Sequence, residues 1–152
     1  MQNIFKRTTL VVRDVARSRD FYRDVLGLSV WYDREVTLSG QGVPGRPGDK
    51  VRLIIMQAAD PVIGMVGLME YTEPRVAEPA AVREGLGIGD IVSVVQTDDV
   101  AELHQRLLAW DAKLHAPPHE IDMTGADGRQ IRMTSVTFYD PDGYFIEANQ
   151  RH

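Results

Sequence analysis

The sequence predicts an α+β fold made of two copies of one βαβββ unit. Three observations lead there. Strand-like and helix-like segments follow one another as β-α-β-β-β, a connector, and then β-α-β-β-β again. A shift of 85 residues lays Arg13-Asp14-Val15-Ala16 on Asp98-Asp99-Val100-Ala101, and Thr8–Val12 on Ser93–Thr97. At 152 residues the chain is the size of one domain, and each half alone would be small for an independent core. The expected layout is a single domain over 1–152, with module one at 6–72, a connector at 73–89 and module two at 90–150.

Each element has a local reason. Thr8–Val12 is β-branched and apolar, as strands are. Asp14 is a natural helix N-cap, and Phe21, Tyr22, Val25 and Leu26 recur at helical spacing before Gly27 stops the helix. Leu28–Leu38, Val51–Gln57 and Met65–Tyr71 read as strands, with a Gly/Pro-rich loop at Ser39–Asp49. Thr72–Gly89 is a connector in which a short Ala-rich stretch leaves room for a helical turn. Ile91–Val95 restarts the pattern. Asp98 or Asp99 caps a helix whose apolar face is Val100, Leu103, Leu107 and Trp110. Pro117-Pro118 breaks Lys113–Met123, which makes it a poor central strand. Gln130–Tyr139 alternates well, Asp140-Pro141-Asp142-Gly143 is a turn, and Tyr144–Asn149 is a closing strand.

Composition narrows the function. A net charge of −5 speaks against a general nucleic-acid binder. The absence of cysteine removes disulfides, thiolate metal sites and Cys nucleophiles together. No stretch approaches the ~18 apolar residues of a membrane span, and the amino-terminal apolar run is too short for a signal peptide, so a cytoplasmic location is expected. Gly40-Gln41-Gly42-Val43-Pro44-Gly45 matches a phosphate-binding glycine pattern. The strand Val51–Gln57 follows it where such a loop needs a helix, so it reads as a hairpin loop or as a lid. There is no G-x-S-x-G, no H-E-x-x-H and no Walker-type lysine loop.

Leu10–Leu28, LVVRDVARSRDFYRDVLGL, resembles the opening of vicinal-oxygen-chelate proteins, the superfamily of glyoxalases, extradiol dioxygenases and bleomycin-resistance proteins. Phe138–Gln150, FYDPDGYFIEANQ, resembles their closing motif, and Thr97–Leu114 fits their second helix. The resemblance implies paired βαβββ modules forming a curved, mostly antiparallel sheet around a cavity, and a homodimer as the expected assembly.

Metal-dependent members of that family take one His, Glu or Gln ligand from the first and last strand of each module. Carried over, the positions are Arg7, Gly67, Val92 and Glu147. Only Glu147 is of a ligand type, because a guanidinium cannot coordinate a cation and Val and Gly offer no donor. A change of register is the way out. Asp90 shares a face with Val92, whereas Glu70 lies on the face opposite Gly67 unless a bulge turns it. No cofactor is therefore expected, with a divalent Zn, Ni, Mn or Fe ion as the alternative. None of His104, His115, His119 and His152 falls on a ligand position.

Arg7 and Glu147 are the candidate catalytic residues. They are expected to pair where the metal would stand, or Arg7 to hold an anionic ligand bidentately. Strand parity adds Thr9, Tyr71, Gln96, Phe145 and Asn149 as candidate ligand-binding residues, and Val11, Met69 and Val94 share their faces. Three functions compete. The first is a protein that binds a small organic molecule without turnover. The second is a glyoxalase-like lyase or isomerase, with Glu147 as base and Arg7 steadying an oxyanion. The third is a lyase, epimerase or dioxygenase with a displaced metal. The expected partner in each is a small molecule, with neither nucleic acid nor membrane.

Overall fold

The computed structural model describes residues 2–78 and 85–152. The chain divides into two compact units, one within residues 1–83 and one within residues 84–152. Unit one contains β1 (Arg7–Val11), α1 (Val15–Asp24), β2 (Ser29–Thr37), β3 (Lys50–Gln57) and β4 (Met65–Glu73). Unit two contains β5 (Val92–Gln96), α2 (Val100–Ala109), β6 (Leu114–Thr124), β7 (Gln130–Tyr139) and β8 (Phe145–Arg151). The α+β class and the repeated βαβββ order are therefore present as the sequence predicts. The Ala-rich part of the connector lies outside the described residues.

Both sheets have one topology. The strand orders are β1-β4-β3-β2 and β5-β8-β7-β6, and neither sheet closes. The first strand of each unit runs parallel to the last, and the other pairings are antiparallel. A parallel pairing needs a crossover, and the helix with its two following strands supplies it.

Each helix covers one face of its own sheet. In unit one Val15, Phe21, Tyr22 and Val25 are buried, as are Leu10, Ile54, Met56 and Leu68 on the alternating strand positions that face α1. In unit two Val100, Leu103 and Leu107 are buried with Val136, Phe138, Ile146 and Ala148. Burial of each large apolar side chain contributes about 1.5–3 kcal/mol, so these two strips dominate the stability of their units.

The helix ends repeat as well. Asp14 Oδ1 accepts from Ala16 and Arg17 N, both at 3.0 Å, and Asp99 Oδ1 accepts from Glu102 N at 2.8 Å. A second acceptor comes from the last strand of each unit. Glu70 Oε2 accepts from Val15 N, and Gln150 Oε1 accepts from Val100 N, each at 3.0 Å. Glu70 thus lies on the helix face, as strand parity requires, and it does not supply the ligand missing at Gly67. Gly27, with φ 70°, ends α1 in the left-handed conformation that glycine adopts without strain.

The prolines of β6 are tolerated because β6 is an edge strand, and its register slips on either side of Ala116. The Gly-rich loop between β2 and β3 is tied down. Leu38 N donates to Asp49 O at 2.8 Å, Gly48 N to Leu38 O at 2.9 Å, and Arg46 N to Asp49 Oδ2 at 2.8 Å. No helix among the described residues is long and apolar enough to cross a membrane.

Candidate functional site

The site residues expected from the sequence lie on the sheet faces that the helices leave uncovered. Register places them in detail. In unit one Arg7 stands opposite Met65, Thr9 opposite Gly67, and Val11 opposite Met69. In unit two Val92 stands opposite Phe145, Val94 opposite Glu147, and Gln96 opposite Asn149. Thr9 and Val94 are equivalent under the internal repeat, so Gly67 and Glu147 are equivalent too. Arg7 is two residues from direct register with Gly67, about 7 Å along the strand.

In unit one the place of a ligand side chain is filled. A Cβ built on Gly67 would stand 2.5 Å from Thr9 Oγ1 and 3.1 Å from Thr9 Cβ and Cγ2. Thr9 therefore packs directly over the Gly67 backbone, and its Oγ1 accepts from Arg7 Nε at 3.1 Å. Met69 is buried with Leu38 and Val51, and Tyr71 packs against the same cluster. The Tyr71 hydroxyl donates to the Pro44 carbonyl, which anchors the Gly-rich loop. That hydrogen bond gives Tyr71 a tethering role on this face.

Unit two has a different face. Glu147 and Asn149 are half-buried neighbours on β8, and Asn149 Nδ2 donates to Glu147 Oε1 at 2.7 Å. Across the sheet, Thr137 pairs in register with Glu147, and Ser135 with Asn149. Ser135 and Thr137 are 0% and 8% exposed, respectively. Ser135 Oγ, Thr137 Oγ1 and Asn149 Oδ1 are buried polar atoms without a hydrogen-bond partner among the described residues. A buried polar group left unmatched costs about 1–3 kcal/mol, so three on one face are a reason to look for something that satisfies them.

An aromatic group borders this polar block. Phe145 packs edge-on against Tyr139 at 5.3 Å between ring centroids and against His115 at 5.6 Å, while Lys113 Nζ lies 5.0 Å from the centre of the Tyr139 ring. Val92 and Val94 are exposed beside it on β5. Ser135, Thr137, Tyr139 and His115 are not among the site residues that the sequence predicts. For the first three the signal was present, because the alternation of β7 places them on the Glu147 face once β7 is paired with β8.

The donor set does not fit the divalent metal that the resemblance implies. Arg7, Gly67 and Val92 bring no ligand atom, and among the described residues no group of three or more His, Cys, Asp or Glu could hold a metal ion. Asp90 does not rescue the site. It precedes β5 in a turn, where its Oδ2 accepts from Gly87 N at 2.6 Å. The other histidines lie elsewhere. His119 Nδ1 is 2.8 Å from Pro117 O, His152 Nε2 is 2.8 Å from Thr134 Oγ1, and His104 is on α2.

Comparison with known proteins agrees with the fold. A glyoxalase family protein from Bacillus cereus superposes with a TM-score of 0.82 at 15% identity, covering 99% of this chain and 95% of that one. The trypanothione-dependent glyoxalase I of Leishmania major gives 0.64 at 19% identity, with 98% and 87% covered. A lactoylglutathione lyase from Agrobacterium tumefaciens gives 0.51 at 21% identity, with 98% and 94% covered. At these identities the likeness is one of fold. No curated protein sequence matches the chain significantly. The family model for the Glyoxalase/Bleomycin resistance protein/Dioxygenase superfamily matches residues 4–148, and the chain belongs to that superfamily.

Proposed function

We propose that this superfamily member binds a small organic molecule and does so without the usual divalent metal. One observation carries the reading: of the four ligand-equivalent positions only Glu147 has a donor, and the one at Gly67 is sealed by Thr9. Removing a metal removes the Lewis acid on which such sites depend. What remains in unit two is a carboxylate, three polar atoms in want of partners and an aromatic border. Apolar walls with a few convergent polar groups suit a small ligand.

A second reading is a metal-independent lyase or isomerase, related in class to the Leishmania glyoxalase I and the Agrobacterium lactoylglutathione lyase. The observation in its favour is the hydrogen bond from Asn149, which orients the Glu147 carboxylate as a general base would need. Thermal-shift screening of small aromatic and carbonyl compounds, followed by product analysis of every hit, separates the two. Hits recovered unchanged support binding alone. Conversion that is lost in Glu147→Gln supports catalysis. A screen in which no compound raises Tm overturns the first reading.

A further inference from the structure

The polar block of unit two has a definite chemical preference. The amide of Asn149 can stand only one way, because a carboxylate oxygen accepts and never donates, so Nδ2 must face Glu147 Oε1. Its Oδ1 is thereby left as an acceptor with nothing to accept from. The adjacent carboxylate is acceptor-only and negatively charged. The Ser135 and Thr137 hydroxyls adapt, since each can accept as well as donate. Four side chains therefore converge on two adjacent strands with acceptors in excess, the second N–H of Asn149 Nδ2 being the one fixed donor among them not given to Glu147. Registered pairs across β7 and β8 are about 5 Å apart and successive pairs about 7 Å, so one small group can reach all four once the side chains that close these buried atoms from solvent move aside.

On the reading that this face binds a small molecule, we propose that its occupant is a protonated amine carrying an apolar ring. The ammonium sits among Glu147, Asn149, Ser135 and Thr137, and the ring lies against Phe145, Val92 and Val94. An ammonium has three donors and no acceptor, the complement of this block. A carboxylate or phosphate would meet the Glu147 charge and the Asn149 carbonyl with like polarity. The aromatic border is compatible with a cation, since Tyr139 already carries Lys113 Nζ at 5.0 Å. The net charge of −5 favours the approach of cations. Lys113 is exposed, so it is free to swing toward water.

Three probes of one shape test this: 2-phenylethylamine, 3-phenylpropionate and 2-phenylethanol, each titrated into the protein at neutral pH. Ring resonances of Tyr139 and Phe145 report occupancy of the face. The amine is expected to shift them and to saturate, with the anion much weaker. Glu147→Gln should weaken the amine by about tenfold or more, the size expected when a charged hydrogen-bond partner is neutralised. Thr137→Val guards against a folding artefact. It deletes a hydroxyl that is unmatched in the free protein, so Tm should hold or rise while amine affinity falls about two- to fivefold. Equal or tighter binding of the anion or the alcohol overturns the amine assignment but leaves the small-molecule reading standing. So does undiminished amine binding in Glu147→Gln. No ring shift with any of the three also overturns the assignment, and the wider compound screen then decides the small-molecule reading separately.

Discussion

The two units share one topology and one capping scheme, yet the third and last strands of their helix-free faces are built differently. In unit one the first strand brings Arg7, Thr9 and Val11, and the last strand brings Met65, Gly67, Met69 and Tyr71. In unit two the first strand brings Val92, Val94 and Gln96, and the last brings Phe145, Glu147, Asn149 and Arg151. The third strand follows the same division. Leu53 and Ile55 stand beside Met69 and Gly67, whereas Ser135 and Thr137 stand beside Asn149 and Glu147. Topology is thus held by the helix-facing residues, which are apolar in both units apart from the capping Glu70 and Gln150. The uncovered faces are free to diverge, one toward a packed surface and one toward a polar one.

Substitution at equivalent positions tests this contrast. Met69→Ala should have the largest effect, a loss of about 2–5 kcal/mol from an emptied apolar site. Its counterpart Asn149→Ala should cost far less, because Asn149 already leaves one polar atom unmatched. Urea unfolding of both variants measures the difference, and equal losses would break the contrast.

Gly67→Ala comes next. The added Cβ collides with Thr9, and an overpacked site costs about 1–3 kcal/mol. Combining it with Thr9→Ala should return part of that loss. A fully additive double variant, measured by thermal unfolding, would show that Thr9 does not seal the position.

A smaller pair sharpens the comparison at single hydroxyls. Thr9→Val removes an acceptor that Arg7 uses and should cost about 1 kcal/mol, whereas Thr137→Val should be neutral or stabilising.

The smallest expected effect lies outside the site. Asp33 receives a two-pronged hydrogen bond from Arg52, at 3.0 and 2.9 Å, which holds its carboxyl below the usual range. A depressed folded-state pKa adds stability above the unfolded pKa, and that stability is lost as pH falls through the folded value. Both groups are partly exposed, so Asp33→Asn should cost only about 0.5 kcal/mol near neutral pH. The gap from the parent should close in acid, as thermal unfolding across pH would show.

Much of the fold was legible because the helix faces obey simple periodicities. Asp14 and Asp99 announce their helices, β7 has the bounds its alternation predicts, and the Glu70 side chain lies on the face its parity gives. The prolines at 117–118 make a poor central strand, and β6 sits at the edge. The site was legible only along single strands. Parity placed Gln96, Phe145 and Asn149 on the Glu147 face. The neighbours from β7 and β6 depend on which strands pair and in what register, a long-range property that no local window contains. The bond from Tyr71 to Pro44 is of the same kind, joining residues far apart in sequence. Gly67 shows a third limit. Its sequence reads as a missing ligand, and only the packing of Thr9 reveals that the vacancy is closed.

On the proposed function, a polar binding face takes the place of the metal site that the family resemblance implies. The most direct measurement is elemental analysis of the purified protein after incubation with Ni²⁺, Zn²⁺, Mn²⁺ or Fe²⁺ and gel filtration. Bound metal well below one equivalent per chain is the expected result, unchanged by Glu147→Gln. A stoichiometric metal that is retained by the parent and lost in Glu147→Gln would contradict it.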